Sequence, residues 1–262
     1  MGGAGPGRRQ VIELAERIAR EAGAQLRKAF SGGVLATETK SSPTDMVSEA
    51  DVAAEKLIRE ALLSARPDDG MLGEEGSDTR GTSGLRWIVD PLDGTTNFLF
   101  GIPQWAVSIA VEDEHGTLAG VVFDPMRDEC WAAVRGAEPT LNGESLRRPD
   151  RTGGLANALV GTGFGYDAEV RAAQAEGVTR LLPLVRDIRR AGACALDLAW
   201  TAAGRYDAYY ERGVKLWDIA AGELICASAG LHTRRLAAAP PAESGILAAP
   251  VALADELASL VD

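Results

Sequence analysis

The chain has 262 residues, of which 46% are hydrophobic and 25% are charged, and its formal net charge at pH 7 is -11. This balance is typical of a soluble globular protein with one large domain or two small ones, and it excludes disordered and fibrous classes. The acidic surplus argues against a nucleic-acid partner, which would need a basic face. No apolar stretch reaches the roughly 18 residues of a membrane span, and no apolar signal core occurs near the N-terminus, so we expect a cytoplasmic protein without a membrane partner.

Cysteine and histidine usage limits the chemistry. The three cysteines, Cys130, Cys194 and Cys226, are an odd number without CxxC spacing, so we expect them to be reduced and buried. The two histidines are His115, in a DEHG turn, and His232, beside two arginines. Neither setting favours a Ser-His-Asp or Cys-His nucleophile or a histidine-rich zinc site. Any chemistry in this chain must therefore rest on carboxylates.

The N-terminal part of the sequence predicts two helices. Apolar residues recur at intervals of three and four over residues 11–30, which is the stripe of an amphipathic helix, and a glycine pair ends it. After the polar loop KSSPTDMVSEAD, Ser48 and Asp51 have the spacing of a capping box, so a second helix begins near Ser48 and runs until Pro67. Asp51 would then lie in the first turn of that helix.

The middle of the chain predicts antiparallel strands, and the last part predicts an α/β arrangement. Short apolar or β-branched runs separated by turn-rich segments predict a meander with strands at 87–89, 107–111, 117–123 and 130–134. Beyond a linker-like RPDRTGG segment, the strand-like runs ALVGTG and DAYYE alternate with the helical stretches ALDLAWTAAG and WDIAAGELICASAG. We therefore divide the chain into an α+β half, residues 1–150, and an α/β half, residues 151–262.

The segment WIVDPLDGTTN, residues 87–97, combines a buried strand with acidic residues and glycine. A strand that ends just before Asp90 would deliver this carboxylate to the edge of the sheet, where Asp93 can converge with it. Gly94 permits a close backbone approach, and a helix that opens at Thr95 would offer amides that favour an anion such as phosphate. Carboxylates beside such amides would repel the anion unless divalent cations lie between them. The alternative is an ordinary surface turn, which uses the same residue types.

Two more acidic segments accompany this one. LGEEG places Glu74 and Glu75 between glycines, and KLWDIAAGELI places Asp218 at the cap of an apolar helix beside Trp217. Each has a simple alternative, since paired glutamates are commonly solvated and an aspartate is a routine helix cap. Together with WIVDPLDGTTN, these segments indicate a functional site more strongly than any one of them does alone.

The segments KSSPTDMVSEAD, LGEEG, WIVDPLDGTTNF and WDIAAGELI, in this order and at these separations, resemble the inositol monophosphatase family of Mg²⁺-dependent, lithium-sensitive phosphatases. The resemblance spans residues 10 to 250. It implies a layered αβαβα sandwich of the inositol monophosphatase and fructose-1,6-bisphosphatase type. It also implies a phosphomonoesterase similar to bacterial inositol-1-monophosphatases, a small phosphomonoester as substrate, and a homodimer.

The resemblance implies a set of metal ligands. One Mg²⁺ would be held by Glu74, Asp90 and the Leu92 carbonyl group, and a second by Asp90, Asp93 and Asp218, with Asp90 bridging the two. A third, weaker ion would lie near Glu74. Hard oxygen atoms are the ligands that Mg²⁺ prefers, so each role is consistent with its residue type.

Catalytic and substrate-binding roles follow from the same resemblance. Glu74, Asp51 and Thr95 would be catalytic, with Thr95 and Asp51 orienting and deprotonating a metal-bound water that attacks phosphorus in line with the leaving alkoxide. The phosphate would be bound by amides at Gly94 and Thr95, and hydroxyl groups of a polyol by Glu211. The full set of substrate contacts would be Asp93, Gly94, Thr95, Gly192, Ala193 and Glu211.

Several positions bear on the branch of the family. Thr96 and Asn97 after DGT resemble the inositol-phosphate branch, whereas branches that act on fructose 1,6-bisphosphate, histidinol phosphate or 3',5'-bisphosphonucleosides stay open as alternatives. Ala193 occupies a place where a hydroxyl residue is frequent, which affects the predicted sugar contacts. Lys40 corresponds to a basic residue on a loop near the metals, and a solvated lysine is the equally weighted alternative.

Two other interpretations compete with this one. DPLDGT is superficially similar to the motif of haloacid dehalogenase phosphatases, in which the leading aspartate is a covalent nucleophile, but the spacing differs by one residue and no GEE loop precedes that motif. The other is a regulatory binding protein that keeps the fold without turnover. The presence of every acidic ligand and of Thr95 argues against it.

Overall fold

A computed structural model of the chain describes residues 6–32, 37–39, 46–149, 151, 153–238, 240–241 and 243–261. The α-helices are α1 (Pro6–Gly32), α2 (Glu49–Ala65), α3 (Thr95–Leu99), α4 (Ala168–Leu181), α5 (Cys194–Ala202), α6 (Leu216–Ser228) and α7 (Val251–Val261). The strands are β1 (Thr37–Thr39), β2 (Met46–Ser48), β3 (Gly70–Gly73), β4 (Asp78–Thr79), β5 (Arg86–Asp93), β6 (Ala106–Asp113), β7 (Gly116–Asp124), β8 (Glu129–Val134), β9 (Thr140–Leu141), β10 (Glu144–Ser145), β11 (Leu159–Thr162), β12 (Asp187–Arg189), β13 (Ala208–Arg212), β14 (His232–Leu236) and β15 (Gly245–Ala249).

The larger sheet has eight strands in the order β10-β9-β8-β7-β6-β5-β3-β4. Its centre is the predicted antiparallel meander, since β5, β6, β7 and β8 pair in sequence. Strand β3 joins beside β5 in a parallel pair, which the sequence analysis did not predict. This parallel pair matters for function because it brings the loop after β3 to the same sheet edge as the end of β5.

The smaller sheet has five strands in the order β12-β11-β13-β15-β14. Strand β11 is parallel to both β12 and β13, whereas β13 and β14 are antiparallel to β15. The helical stretches predicted in this part are α5 and α6, while α4 and α7 were not identified from the sequence. The predicted α/β arrangement is therefore present around a mixed sheet.

Three hydrophobic cores stack the elements into five layers. Helices α1 and α2 cover one face of the large sheet, α5 and α6 fill the space between the sheets, and α4 and α7 cover the outer face of the small sheet. The order α, β, α, β, α confirms the predicted sandwich. The middle core combines residues from both sides of residue 150, such as Ile88 and Leu198.

The two faces of strand β6 pack against different helix layers, and its sequence alternates accordingly. Its residues alternate, with Val107, Ile109 and Val111 facing α1 and α2, while Ala106 and Ala110 face α5 and α6. The small residues on the second face let a helix approach closely. On neighbouring β7, a Cβ atom added to Gly120 would lie 2.7 Å from the Cα atom of Ala221 in α6.

Cysteine burial and the ends of two helices bear on further expectations from the sequence. All three cysteines are free and buried. Helix α1 ends at Gly32, and α2 places Asp51 in its first turn, as predicted. The predicted helix cap at Ser48 rests on a side chain outside the described residues. None of the described helices is long and apolar enough to cross a membrane.

Candidate active site

The end of β5 places two aspartates, Asp90 and Asp93, at one edge of the large sheet. The prediction that this strand ends at Val89 is wrong, because β5 continues to Asp93 through a β-bulge. Pro91 has no N–H group for the ladder, so the pairing with β6 skips it and resumes at Asp93. Within the bulge, Asp90 Oδ1 accepts a hydrogen bond of 3.0 Å from the N–H group of Leu92.

Gly94 connects β5 to the short helix α3. Its backbone has φ 95° and ψ 36°, in the left-handed region that favours glycine. A Cβ atom at this position would also lie 3.0 Å from the Gln104 carbonyl oxygen and 3.1 Å from Ala193 Cβ. Both the conformation and the close packing therefore require glycine, and Ala193, which is fully buried, packs against this turn.

Thr95 links the turn to helix α2. Its Oγ1 atom lies 3.1 Å from Asp51 Oδ2 and 3.1 Å from the Leu92 carbonyl oxygen. The hydroxyl group has one proton, so it donates to one of these acceptors at a time. Both side chains of the pair are buried, with Asp51 at 0% exposure. The structure thus brings together the two residues that the sequence analysis placed next to each other in catalysis.

Three carboxylates from separate elements converge beside this pair. Oxygen atoms of Glu74, Asp90 and Asp218 lie within 4.8 Å of one another. Glu74 follows β3 and is held next to β5 by a 3.1 Å hydrogen bond from its N–H group to the Val89 carbonyl oxygen. Asp218 is the third residue of α6, not its N-cap as predicted, and accepts a 2.6 Å hydrogen bond from the Lys215 N–H group.

Burial and mutual repulsion raise the pKa values of carboxylates in this cluster. Burial raises the pKa of Asp90 well above its usual range, and the charges of Glu74, Asp93, Asp218 and Asp51 raise it further. The pKa of Asp218 is also raised well above its usual range, mainly by burial and secondly by the charge of Glu74. Buried carboxylates at such distances need either protons or a cation to be stable. The convergent oxygen donors therefore fit a hard divalent cation such as Mg²⁺.

Asp93 lies near these carboxylates and connects the end of β5 to helix α5. Its Oδ2 atom accepts a 3.2 Å hydrogen bond from the Leu196 N–H group. Burial raises the pKa of Asp93 to about 7; the N–H groups of Leu196 and Cys194 oppose this shift, and the charges of Glu211 and Glu74 add to it. The carboxylate oxygens of Asp93 are not among those of Glu74, Asp90 and Asp218 that lie within 4.8 Å of one another.

A cavity of about 440 Å³ opens over these groups. Most of the predicted site residues line it, namely Glu74, Asp90, Leu92, Asp93, Gly94, Thr95, Gly192, Glu211 and Asp218. Asp51 and Ala193 are buried next to it and do not line it. Lys40 lies outside the described residues. The cavity therefore collects carboxylates and a glycine turn from five different parts of the chain.

A family model of the inositol monophosphatase family matches residues 8–262. The chain belongs to this family. The match over nearly the whole chain contradicts the haloacid dehalogenase alternative, in which a covalent aspartate is the nucleophile.

Named relatives cover nearly the whole chain. The inositol-1-monophosphatase SuhB of Mycobacterium tuberculosis (strain ATCC 25618 / H37Rv) is 44% identical, over 95% of this chain and 92% of the relative. A Nus factor SuhB from Xylella fastidiosa (strain Temecula1 / ATCC 700964) is 41% identical, over 84% of this chain and 80% of the relative. The crystal structure of the extragenic suppressor protein suhB from Bartonella henselae has a TM-score of 0.88 and 35% identity, and the match covers 97% of this chain and 98% of that one.

Several residues that line the cavity of this inositol monophosphatase family member were not identified from the sequence. Arg190 and Cys194 both line it. The pair RR before AGACAL looks like any solvated basic pair, and Cys194 looks like a core cysteine, so neither gave a signal of its own. Their proximity to the site depends on where β12 and α5 meet the turn after β5.

Asn97, one of the two residues that resemble the inositol-phosphate branch, is bonded to backbone carbonyl groups. Its Nδ2 atom donates to the Gln104 carbonyl oxygen at 2.7 Å and to the Ala191 carbonyl oxygen at 2.8 Å. The side chain is 6% exposed. Asn97 therefore holds the segment before Gly192 against the turn, and any influence on the substrate passes through that segment.

Proposed function

We propose that the chain is a Mg²⁺-dependent phosphomonoesterase that hydrolyses inositol 1-phosphate or a related polyol or sugar phosphate. The observation that carries the proposal is the convergence of Glu74, Asp90 and Asp218 within 4.8 Å, directly beside the Thr95–Asp51 hydrogen bond. The Mycobacterium tuberculosis relative at 44% identity is named inositol-1-monophosphatase, which supports this substrate class.

Glu74, Asp90 and Asp218, together with Asp93 and the Leu92 carbonyl group, would hold two Mg²⁺ ions, and a third, weaker ion would lie near Glu74. Divalent cations at such a site lower the pKa of water and stabilise the charge on the entering and departing oxygen atoms. The Leu92 carbonyl oxygen already lies 3.1 Å from Thr95 Oγ1, so this ligand connects the metal site to the hydroxyl group.

Thr95 and Asp51 would orient the attacking water and remove its proton. In a balanced transfer, the water gives a proton to Thr95 Oγ1 while the Thr95 hydroxyl proton moves to Asp51 Oδ2, 3.1 Å away. The oxygen of the water forms a bond to phosphorus, the bond from phosphorus to the alkoxide oxygen breaks, and the alkoxide takes a proton from solvent water and leaves as an alcohol. Asp51 is suited to this role because its side chain is fully buried and held against Thr95.

The remaining groups would bind the substrate. The N–H groups of Gly94 and Thr95 would contact phosphate oxygens, since both residues line the cavity where α3 begins. Glu211 and Gly192 line the other part of the cavity and would contact the leaving group. A carboxylate at Glu211 accepts hydrogen bonds from hydroxyl groups, which favours a polyol.

A panel of phosphomonoesters tests this function and its branch. Phosphate release would be measured from inositol 1-phosphate, fructose 1,6-bisphosphate, histidinol phosphate and adenosine 3',5'-bisphosphate, with Mg²⁺, with and without lithium. We expect lithium-sensitive release led by inositol 1-phosphate. A different leading substrate would move the protein to another branch, and no release from any of the four would contradict the proposed function.

The relative from Xylella fastidiosa that is named a Nus factor favours a second candidate, a regulatory binding role on the same fold. A protein that co-purifies in stoichiometric amounts, together with negligible phosphate release at several millimolar Mg²⁺, would support this role.

We also propose a homodimer in the cytoplasm. Light scattering on the purified protein tests the assembly, and a monomer mass would contradict it.

A further inference from the structure

Glu211 has a hydrogen-bond donor of its own on the same strand. Tyr209 and Glu211 are two residues apart in β13, so their side chains lie on the same face. The Tyr209 hydroxyl group donates a hydrogen bond to Glu211 Oε2. Tyr209 is 0% exposed, whereas Glu211 is half-buried and lines the cavity. A buried phenol therefore fixes the carboxylate that faces the leaving-group part of the cavity.

Strand β11 and the residue after it have glycines, and so no side chains, next to Tyr209 and Glu211. Gly161 pairs with Tyr209 across the parallel ladder, and a Cβ atom at Gly161 would lie 2.9 Å from the Tyr209 ring. A Cβ atom at Gly163 would lie 2.0 Å from Glu211 Oε1. Neither glycine has a positive φ, so the requirement is for space and not for backbone conformation. The two glycines on β11 and just after it thus make room for this ring and this carboxylate.

The electrostatics of the pair are consistent with a fixed donor. Burial raises the pKa of Tyr209 well above its usual range, so the phenol keeps its proton. Burial also raises the pKa of Glu211, while the hydrogen bond from Tyr209 and the charge of Arg190 lower it. The phenol therefore favours the ionised form of Glu211, which is the form that accepts hydrogen bonds at both oxygens.

We propose that Tyr209 is a positioning residue for Glu211 and sets the preference for leaving groups that carry hydroxyl groups. The inference rests on the proposed function, in which Glu211 accepts hydrogen bonds from a polyol. The Tyr209 proton occupies Oε2 and leaves Oε1 to accept a substrate hydroxyl group. Without the phenol, Glu211 loses its fixed orientation, so the polyol contact weakens while the metal site and the attacking water are unaffected.

The test compares Tyr209→Phe with a matched control, Tyr210→Phe. Tyr210 is the next residue of β13, and its ring packs in the core between the small sheet and the outer helices. Each protein is assayed on inositol 1-phosphate and on phenyl phosphate, whose leaving group has no further hydroxyl group. For Tyr209→Phe, we expect KM for inositol 1-phosphate to rise about tenfold while kcat and the constants for phenyl phosphate change less than about twofold. Tyr210→Phe should match the wild type on both substrates.

A double-mutant cycle separates a positioning role from a general structural one. In the Glu211→Gln background, Tyr209→Phe should add no further increase in KM for inositol 1-phosphate, because the group that it positions is already gone. An additive effect of the two substitutions would overturn the proposal. An equal loss on both substrates, or unchanged constants for inositol 1-phosphate, would also overturn it.

The wild-type protein distinguishes failure of this inference from failure of the proposed function. If the wild type releases phosphate from neither substrate, the proposed function is wrong and the positioning role falls with it. If the wild type hydrolyses both substrates and the selective effect is missing in Tyr209→Phe, only the positioning role is wrong. Unchanged thermal unfolding of the variants shows that the comparison concerns folded proteins.

Discussion

The hydroxyl group of Thr95 lies 3.1 Å from Asp51 Oδ2, and this contact joins the first turn of α2 to the turn that follows β5. The two residues are 44 positions apart in the sequence. Their contact places a buried proton acceptor next to a hydroxyl group that also lies within reach of the Leu92 carbonyl oxygen.

The first prediction concerns this hydroxyl group. Thr95→Ala removes the path for the proton and should lower kcat by about 10²- to 10⁴-fold, whereas Thr95→Ser keeps the hydroxyl group and should retain most of the activity. Steady-state kinetics on inositol 1-phosphate measure the effect. Thr179→Ala removes an exposed hydroxyl group in α4, so it is the control and should stay near wild type. Equal activity of Thr95→Ala and the wild type would show that the hydroxyl group takes no part.

The second prediction concerns Asp93 as a metal ligand. In Asp93→Asn, the amide oxygen can still accept the hydrogen bond from the Leu196 N–H group, so the fold should persist. The loss of one charged ligand should lower turnover by at least about a hundredfold, since even changes outside the ligand shell cost 10- to 100-fold. Circular dichroism checks the fold and phosphate release checks the turnover. Near wild-type turnover would contradict the assignment of Asp93 to a metal.

The third prediction separates substrate recognition from metal binding at Glu211. Glu211→Gln should raise KM for inositol 1-phosphate about tenfold and leave phenyl phosphate hydrolysis within about twofold of the wild type, because only the polyol contact is weakened. Parallel assays on the two substrates provide the measurement. If the variant hydrolyses neither substrate, Glu211 belongs with the metal site.

The fourth prediction concerns pH and metal removal. Burial raises the pKa of Asp93 from near 3.8 to about 7 in the folded protein without metal. The folded state then binds more protons than the unfolded state between these values, so the metal-free free energy of unfolding decreases as the pH rises through this window. Mg²⁺ supplies the opposing charge when the proton leaves. The increase in Tm caused by Mg²⁺ should therefore be larger at pH 8 than at pH 6.

Thermal unfolding with EDTA and with Mg²⁺ at the two pH values measures this difference. Asp93→Asn has no proton to release at this position, so its increase in Tm should depend less on pH. An increase in Tm that is the same at pH 6 and pH 8 in the wild type would show that protons and Mg²⁺ do not compete for this cluster.

The turn itself could be predicted from the sequence because its signals are local. Asp90, Pro91, Asp93 and Gly94 have strong backbone preferences, and the apolar run before them reads as a buried strand. The extension of β5 past Val89 was missed, since Pro91 looks like the end of a strand. The bulge that carries the chain past it depends on pairing with β6, which lies outside the local segment.

The convergence of the site could not be derived from local patterns. Glu74 reaches Asp90 only because β3 pairs in parallel with β5, and Asp218 reaches it because α6 packs between the two sheets. The family resemblance supplied these positions without the geometry. Strand alternation in DAYYE puts Tyr209 and not Tyr210 on the same face as Glu211, but only the register with β11 places Gly161 opposite the Tyr209 ring.

The most direct test of the metal-dependent mechanism is the initial rate of phosphate release from inositol 1-phosphate as a function of Mg²⁺, for the wild type and for Asp90→Asn. Asp90 is the most buried of the three clustered carboxylates that would hold the metal, so its loss should reduce the rate by orders of magnitude at every Mg²⁺ concentration. The wild type should show a saturable dependence on Mg²⁺ and no activity in EDTA. Full activity of the wild type in EDTA, or of Asp90→Asn in Mg²⁺, would contradict the account.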